Sequence, residues 1–126
     1  MARSVHRIAA ALGLAAALAL PGTASADEPW KAQQEFQRKA SKAAYEREKE
    51  LREAGYERRK ELAEARRDYE ERMADGKHEK AEREYRKRVA EVESDYARRR
   101  GQIERKYSEE IGDGERKYYR SRGSDR

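Results

Sequence analysis

The scarcity of large apolar side chains constrains this chain more than any other feature of its sequence. After residue 26, Leu, Ile, Val and Phe occupy only seven of 100 positions, well below the roughly 20% under which disorder is suspected. These positions are Phe36, Leu51, Leu62, Val89, Val92, Ile103 and Ile111. Because a fully buried large apolar side chain contributes roughly 1.5–3 kcal/mol, so few of them cannot support a conventional globular core. Folding must depend on helix propensity or on a partner.

The rest of the composition favours long α-helices. Charged residues make up 45% of the chain, and Ala, Glu, Lys, Arg and Gln are the residues that lose least on entering a helix. At 100° per residue, the apolar side chains of residues 36–73 fall on one stripe and those of residues 81–107 on a second. In the second half of the chain a tyrosine recurs every 11 residues, a spacing that corresponds to three helical turns. These tyrosines are Tyr85, Tyr96, Tyr107 and Tyr118.

A turn between the two stripes predicts how the helices are arranged. Gly76, between Asp75 and Lys77, suits the left-handed position just past a helix end. Folding the chain back about Lys77 brings large side chains level in four pairs: Phe36 with Tyr118, Leu51 with Ile103, Leu62 with Val92, and Tyr69 with Tyr85. This pattern favours an all-α antiparallel helical hairpin or coiled coil over residues 27–111, with its turn near 75–77. The alternative is one continuous helix, since a helical glycine costs only about 1 kcal/mol relative to alanine.

The two ends of the chain differ from its middle. Residues 1–26 combine a basic start, an apolar run over residues 8–20 and a small-residue site at Ala24 to Ala26, which is typical of a signal peptide cleaved after Ala26. The apolar run is shorter than the roughly 20 residues of a membrane-spanning helix, so we expect a periplasmic or secreted protein without a transmembrane anchor. Glycines at 112, 114 and 123 predict a flexible, frayed basic tail over residues 112–126.

The sequence offers no set of residues for catalysis. Cysteine is absent, and His78 is the only histidine after residue 26. The carboxylates are interleaved with Lys and Arg, which is typical of solvated helix faces. His78 could join Asp75 and either Glu79 or Glu82 around a metal ion, but such spacing arises by chance in any highly charged chain. We therefore predict a protein that is not an enzyme and that has no metal site or cofactor.

Tyrosine and arginine supply the candidate contact residues. Tyr45 and Tyr56 share the same three-turn spacing and lie off the main stripe, so they are candidates for a second contact surface. The candidates in the tail are Arg116, Lys117, Tyr118, Tyr119, Arg120 and Arg122. Tyrosine rings can stack on sugars, peptides or bases, and guanidinium groups bind phosphate and carboxylate.

These features together predict an exported, non-catalytic interaction protein of the bacterial cell envelope. It would act as a coiled-coil scaffold, a spacer or a holding chaperone for unfolded clients, and we expect self-association because one hairpin buries few large side chains. The alternative is an envelope protein whose basic tail binds anionic lipid headgroups or wall polymers weakly. A third hypothesis is an isolated charged helix that serves as a ruler. Nucleic acid is not expected despite a pI of about 9.4, because the charges alternate in sign along the sequence.

Overall fold

Two long antiparallel helices make up the part of the chain that the structure, a computed structural model, describes, which is residues 27–123. Helix α1 spans Asp27–Ala74 and helix α2 spans His78–Gly123. The predicted all-α helical hairpin is confirmed, and the continuous-helix alternative is wrong. Neither described helix contains a stretch apolar enough to cross a membrane. The predicted signal peptide and residues 124–126 of the predicted tail lie outside the described residues.

The turn follows from the backbone freedom of one glycine. Gly76 has a φ of 77°, a left-handed conformation that costs side-chain-bearing residues roughly 1–2 kcal/mol. The N–H of Lys77 donates to the carbonyl of Arg72, and the N–H of Gly76 donates to that of Met73, both at 3.1 Å. These two bonds satisfy carbonyls at the end of α1 in the manner of a Schellman motif. The carbonyl of Lys77 then accepts the N–H of Ala81 at 2.9 Å and starts α2.

The seam between the helices is narrow and is lined largely by small side chains. Among the described residues, the buried apolar side chains are Ala43, Ala54, Ala65, Ala81, Val92 and Ile103. Leu51 and Leu62, which were predicted to face Ile103 and Val92, are half-buried. Because alanine has only a methyl group, it lets the two backbones approach closely while contributing little apolar area. The hairpin therefore has a continuous seam rather than a thick core.

Helix α2 continues beyond the end that the sequence predicted for it. Residues 112–123, predicted to form a frayed tail, are helical as far as Gly123, so the predicted helix end at Ile111 is corrected. An ideal Cβ at position 114 would lie 3.2 Å from the Phe36 ring, which is closer than an ordinary van der Waals contact. Gly114 is thus the position at which the Phe36 ring approaches the α2 backbone, and it does not break the helix.

Candidate interaction surfaces

Four equivalent layers repeat along the hairpin, each separated from the next by three helical turns. In each layer a small residue of α1 and a residue of α2 line a common open groove on the seam. From the open end to the turn these pairs are Ala32 with Gly114, Ala43 with Ile103, Ala54 with Val92, and Ala65 with Ala81. Three helical turns advance about 16 Å along the axis, so the hairpin is a rod with that repeat.

The two terminal layers each carry an aromatic pair beside the seam. The Phe36 and Tyr118 rings stack with centroids 5.8 Å apart, and the Tyr69 and Tyr85 rings lie 5.0 Å apart at an angle of 38°. Such pairs contribute about 0.5–1.5 kcal/mol beyond the area they bury. Both contacts were predicted from the sequence, and both are confirmed.

The two central layers carry an arginine where the terminal layers carry an aromatic ring of α1. The guanidinium carbon of Arg47 lies 5.2 Å from the Tyr107 ring centroid, and that of Arg58 lies 5.1 Å from the Tyr96 ring centroid. These distances are within the range of a cation–π interaction. Tyr96 and Tyr107 therefore pack as seam residues, as their spacing predicted, but against guanidinium groups.

Each central arginine also forms a bidentate salt bridge with a glutamate of α2. Arg47 donates through Nε at 2.8 Å and through Nη2 at 2.6 Å to the carboxylate of Glu104. Arg58 donates through Nε at 3.0 Å and through Nη2 at 2.6 Å to Glu93. Planar guanidinium and carboxylate groups fit each other in this geometry, so each arginine is held by a ring and a carboxylate at once.

The hydrogen bonds of these pairs shift the pKa values of the groups that make them. The bond from Arg47 lowers the pKa of Glu104 below its ordinary value. The pKa of Arg47 and that of Arg58 are raised, mainly by the same bonds to Glu104 and Glu93. The Arg47–Glu104 pair therefore stays charged on both sides across the neutral pH range.

Ion pairs connect the helices beyond the central layers as well. They join Glu50 to Lys106, Glu57 to Arg99, Glu64 and Asp68 to Arg88, and Arg72 to Glu84. The hydrogen bond from Lys106 to Glu50, at 2.6 Å, raises the pKa of that lysine. Exposed pairs of this kind contribute about 0–1 kcal/mol each and weaken with salt. Their main effect is on register, because they pair opposite charges only when the four layers are aligned.

Tyr45 and Tyr56 lie on the outer side of α1, as the sequence predicted for a second contact surface. Their exposed fractions are 63% and 64%. Tyr119 of the predicted tail is similarly exposed, at 66%, and its ring meets that of Tyr118 edge-on at 5.5 Å. Exposed tyrosine rings present apolar area with a polar end, which suits them to contact surfaces.

The other predicted tail residues are exposed except Tyr118, and some of them make contacts within the hairpin. Tyr118 is half-buried against Phe36, and Arg116 is paired with Asp113. Arg122 lies 5.8 Å from the Tyr118 ring centroid and donates to the Tyr118 hydroxyl at 3.3 Å. Lys117 and Arg120 are exposed, as are Arg116 and Arg122. The candidates thus lie on different faces of the last turns of α2 and do not form a separate basic segment.

The structure does not bring together the residues of the hypothetical metal site. His78 is exposed at the start of α2. In the described part of the chain, no three His, Asp or Glu side chains are arranged to hold a metal ion. No alternative ligand set is visible within residues 27–123.

Two repeats that form the seam are present in the sequence but were not used in the sequence-based prediction. Helix α1 has its own repeat at the three-turn spacing, with an alanine at positions 32, 43, 54 and 65. In α2 a glutamate stands three residues before each seam tyrosine, as in Glu93 before Tyr96 and Glu104 before Tyr107. Aligning either helix with itself at a shift of three turns would have revealed both.

Comparison with known protein families, with curated proteins and with solved structures found no significant match.

Proposed function

We propose that this chain is a non-catalytic interaction protein of the bacterial cell envelope that acts as a rigid spacer or scaffold. The observation that carries the proposal is the series of four equivalent layers in a single register. A helix of 48 residues is about 72 Å long, and this length is maintained by repeated contacts along the seam. Repetition extends a rod without creating an enclosed site, which suits a part whose length and outer surface are used.

The envelope location rests on the sequence of residues 1–26. A basic start, an apolar run and a small-residue cleavage site are the features of an export signal. The location is tested by the N-terminus of the protein isolated from its cells, which should be Asp27. Recovery of the uncleaved chain from the cytoplasm would contradict it.

Self-association is part of the proposal, because one hairpin leaves much of its apolar surface uncovered. Leu51, Leu62 and Met73 recur at the three-turn spacing on α1 and are only half-buried. A second copy packed along this row would cover all three. Light scattering coupled to size-exclusion chromatography should show a dimer or larger species, which Leu51→Gln with Leu62→Gln would shift toward the monomer. Tyr45→Ser with Tyr56→Ser, on the outer side of the same helix, is the matched control, and a wild-type monomer at every concentration would reject this part.

The spacer role is tested by changing the length of the rod by one layer. Deleting residues 54–64 together with residues 92–102 removes one layer from both helices and keeps the others in register. The hairpin should still fold, and small-angle X-ray scattering should show a rod shorter by about 16 Å. In cells lacking the native gene, a spacer shortened in this way should fail to restore function.

A duplicated layer provides the control for that deletion. Reinserting copies of residues 43–53 and 103–113 restores the length with different side chains, so this chain should restore function. Full rescue by the shortened chain would contradict the spacer role. Failure of both chains, with folding intact, would also contradict it, because length alone would then be insufficient.

A further inference from the structure

The outer edge of α1, opposite the seam, is a basic and aromatic stripe. We define this edge as the residues from 30 to 70 that lie within about 40° of Tyr45 at 100° per residue, together with the neighbouring Trp30. Its cations are Lys31, Arg38, Lys49, Arg52, Arg59 and Arg67, and all of them are exposed. Its one acidic residue is Glu70. Charges that alternate in sign along the sequence are therefore segregated by sign around the helix.

The stripe also holds exposed aromatic rings. Tyr45 and Tyr56 lie within it, and Trp30, 58% exposed, lies near its open end. Arg52 and Arg59 stand four residues before and three residues after Tyr56, so they flank its ring on the same face. In a chain with so few large apolar side chains, these aromatic rings lie exposed among cations and do not pack in the seam.

Helix α2 also carries exposed cations, but several of them are neutralised locally. Ion pairs join Lys80 to Glu84, Lys87 to Glu91, Arg98 to Asp95, and Arg116 to Asp113. On the α1 edge Lys49 pairs with Glu53. Four arginines of the edge, by contrast, make no ion pair with any residue of the range 27–123, namely Arg38, Arg52, Arg59 and Arg67. A row of arginines without an ion-pair partner among the described residues thus lies along one face of α1.

The shape of the stripe favours a flat anionic partner. Residues 31–67 cover about 54 Å of helix, and because their side chains stay within about 40° of one line along the helix, all of the stripe can touch a plane at once. The curved backbone of a nucleic acid duplex, with a turn of about 34 Å, would meet a straight row only at intervals. Tyr and Trp are also the residues enriched where a bilayer meets water.

We propose that the outer edge of α1 docks lengthwise on the surface of an anionic lipid bilayer, with Tyr45 and Tyr56 at headgroup level and the four unpaired arginines on lipid phosphates. This goes beyond the spacer role, because it assigns a partner to a surface that the seam does not use. It also differs from binding through the basic tail, since residues 112–123 contribute none of the stripe.

The test compares two variants of the full chain that carry the same net charge. The edge variant is Arg38→Gln, Arg52→Gln, Arg59→Gln, Arg67→Gln, and the control is Lys80→Gln, Lys87→Gln, Arg98→Gln, Arg116→Gln on α2. The quantity measured is the ratio of partition coefficients on phosphatidylglycerol-containing and on pure phosphatidylcholine vesicles. Residues 1–26, which include Arg3 and Arg7, are the same in both variants, so a difference between the variants' ratios reports on the substituted residues alone. Circular dichroism should show that both variants keep the helical content of the wild type.

Each cation near an anionic surface contributes roughly a factor of five to binding. The edge variant should therefore lower the ratio by about 100-fold or more at low salt, whereas the control should lower it much less. Tyr45→Ser with Tyr56→Ser should lower the partition coefficient on the phosphatidylglycerol-containing vesicles themselves below the wild-type value, because the rings contribute at headgroup level without a change in charge. Equal losses in the edge variant and the control would overturn the proposal, because net charge alone would then account for binding. Tighter binding to duplex nucleic acid than to the anionic vesicles would overturn it as well.

Discussion

The terminal and central layers of the hairpin fill the same space in opposite ways. Terminal layers place two aromatic rings beside the seam and a small residue on it, namely Gly114 or Ala81. Central layers place an arginine on a tyrosine ring and a branched residue on the seam, namely Val92 or Ile103. Terminal layers thus place their side-chain volume in the aromatic pair beside the seam, and central layers place more of it in the branched residue on the seam. A chain with few large side chains can keep a constant helix separation by distributing them in this way.

The central layers should be the more sensitive to loss of the seam residue. Ile103→Ala removes the largest buried side chain of the seam, and the facing Ala43 cannot fill the space. We expect a loss of about 2–4 kcal/mol in the free energy of unfolding, measured by urea denaturation. Ile111→Ala, at a half-buried position of the same helix, is the matched control and should cost less. Equal losses at the two positions would show that the buried layers do not dominate stability.

The terminal layer at the open end should resist added bulk on the seam. Gly114→Ile places a branched side chain against the Phe36 ring, which already lies 3.2 Å from an ideal Cβ there, and should destabilise the hairpin by about 1–3 kcal/mol. Gly123→Ile is the control, because a Cβ at that position meets nothing within 4 Å. Thermal and urea unfolding measure both.

Exchange of the layer type sharpens the same comparison. Adding Phe36→Arg to Gly114→Ile converts the terminal layer to the central pattern, since Glu115 and Tyr118 already stand in the positions of Glu104 and Tyr107. The double variant should be more stable than Gly114→Ile alone, as measured by urea denaturation. If it is less stable, the two layer types are not interchangeable solutions to one packing problem.

The smallest expected difference concerns pH. The folded pKa of Glu104 lies below the unfolded value of 4.5, so its stabilisation is fully present above that value and is lost as pH falls through the folded pKa. Between about pH 6 and pH 3, Glu104→Gln should reduce the pH dependence of the unfolding free energy. Glu109→Gln, which removes an exposed carboxylate of the same helix without removing the bond to Arg47, is the matched control. An unchanged slope in Glu104→Gln would mean that the bond to Arg47 contributes nothing in solution.

Much of the hairpin was predictable because it follows from local rules. Gly76 marked the turn, since only glycine adopts a φ of 77° at little cost. The aromatic pairs Phe36 with Tyr118 and Tyr69 with Tyr85 followed from counting outward from that turn. The end of α2 was not predictable in the same way, because Gly114 was interpreted by its low helix propensity. At Gly114 the α2 backbone is contacted by Phe36, which lies near the start of α1 and is distant from Gly114 in sequence.

The composition of the outer edge of α1 was predicted in part. Tyr45 and Tyr56 were singled out because they lie off the seam, and the structure places both on the outer edge. The basic character of that edge was missed, because charge was judged along the chain instead of around the helix. For Arg38, Arg52, Arg59 and Arg67, neighbours in sequence are not neighbours on the helix face.

The sequence by itself determined that the chain is helical, where a hairpin would turn and which aromatic rings would then align, because helix propensity, a left-handed glycine and a three-turn period act locally. Only the tertiary structure decided where the long charged side chains go. Arg47 and Arg58 belong to the seam, although by residue type they would be assigned to solvent. The aliphatic part of an arginine can lie along an apolar surface while its guanidinium group contacts a tyrosine ring and a carboxylate. Whether an arginine packs in this way or extends into solvent depends on how closely the second helix approaches.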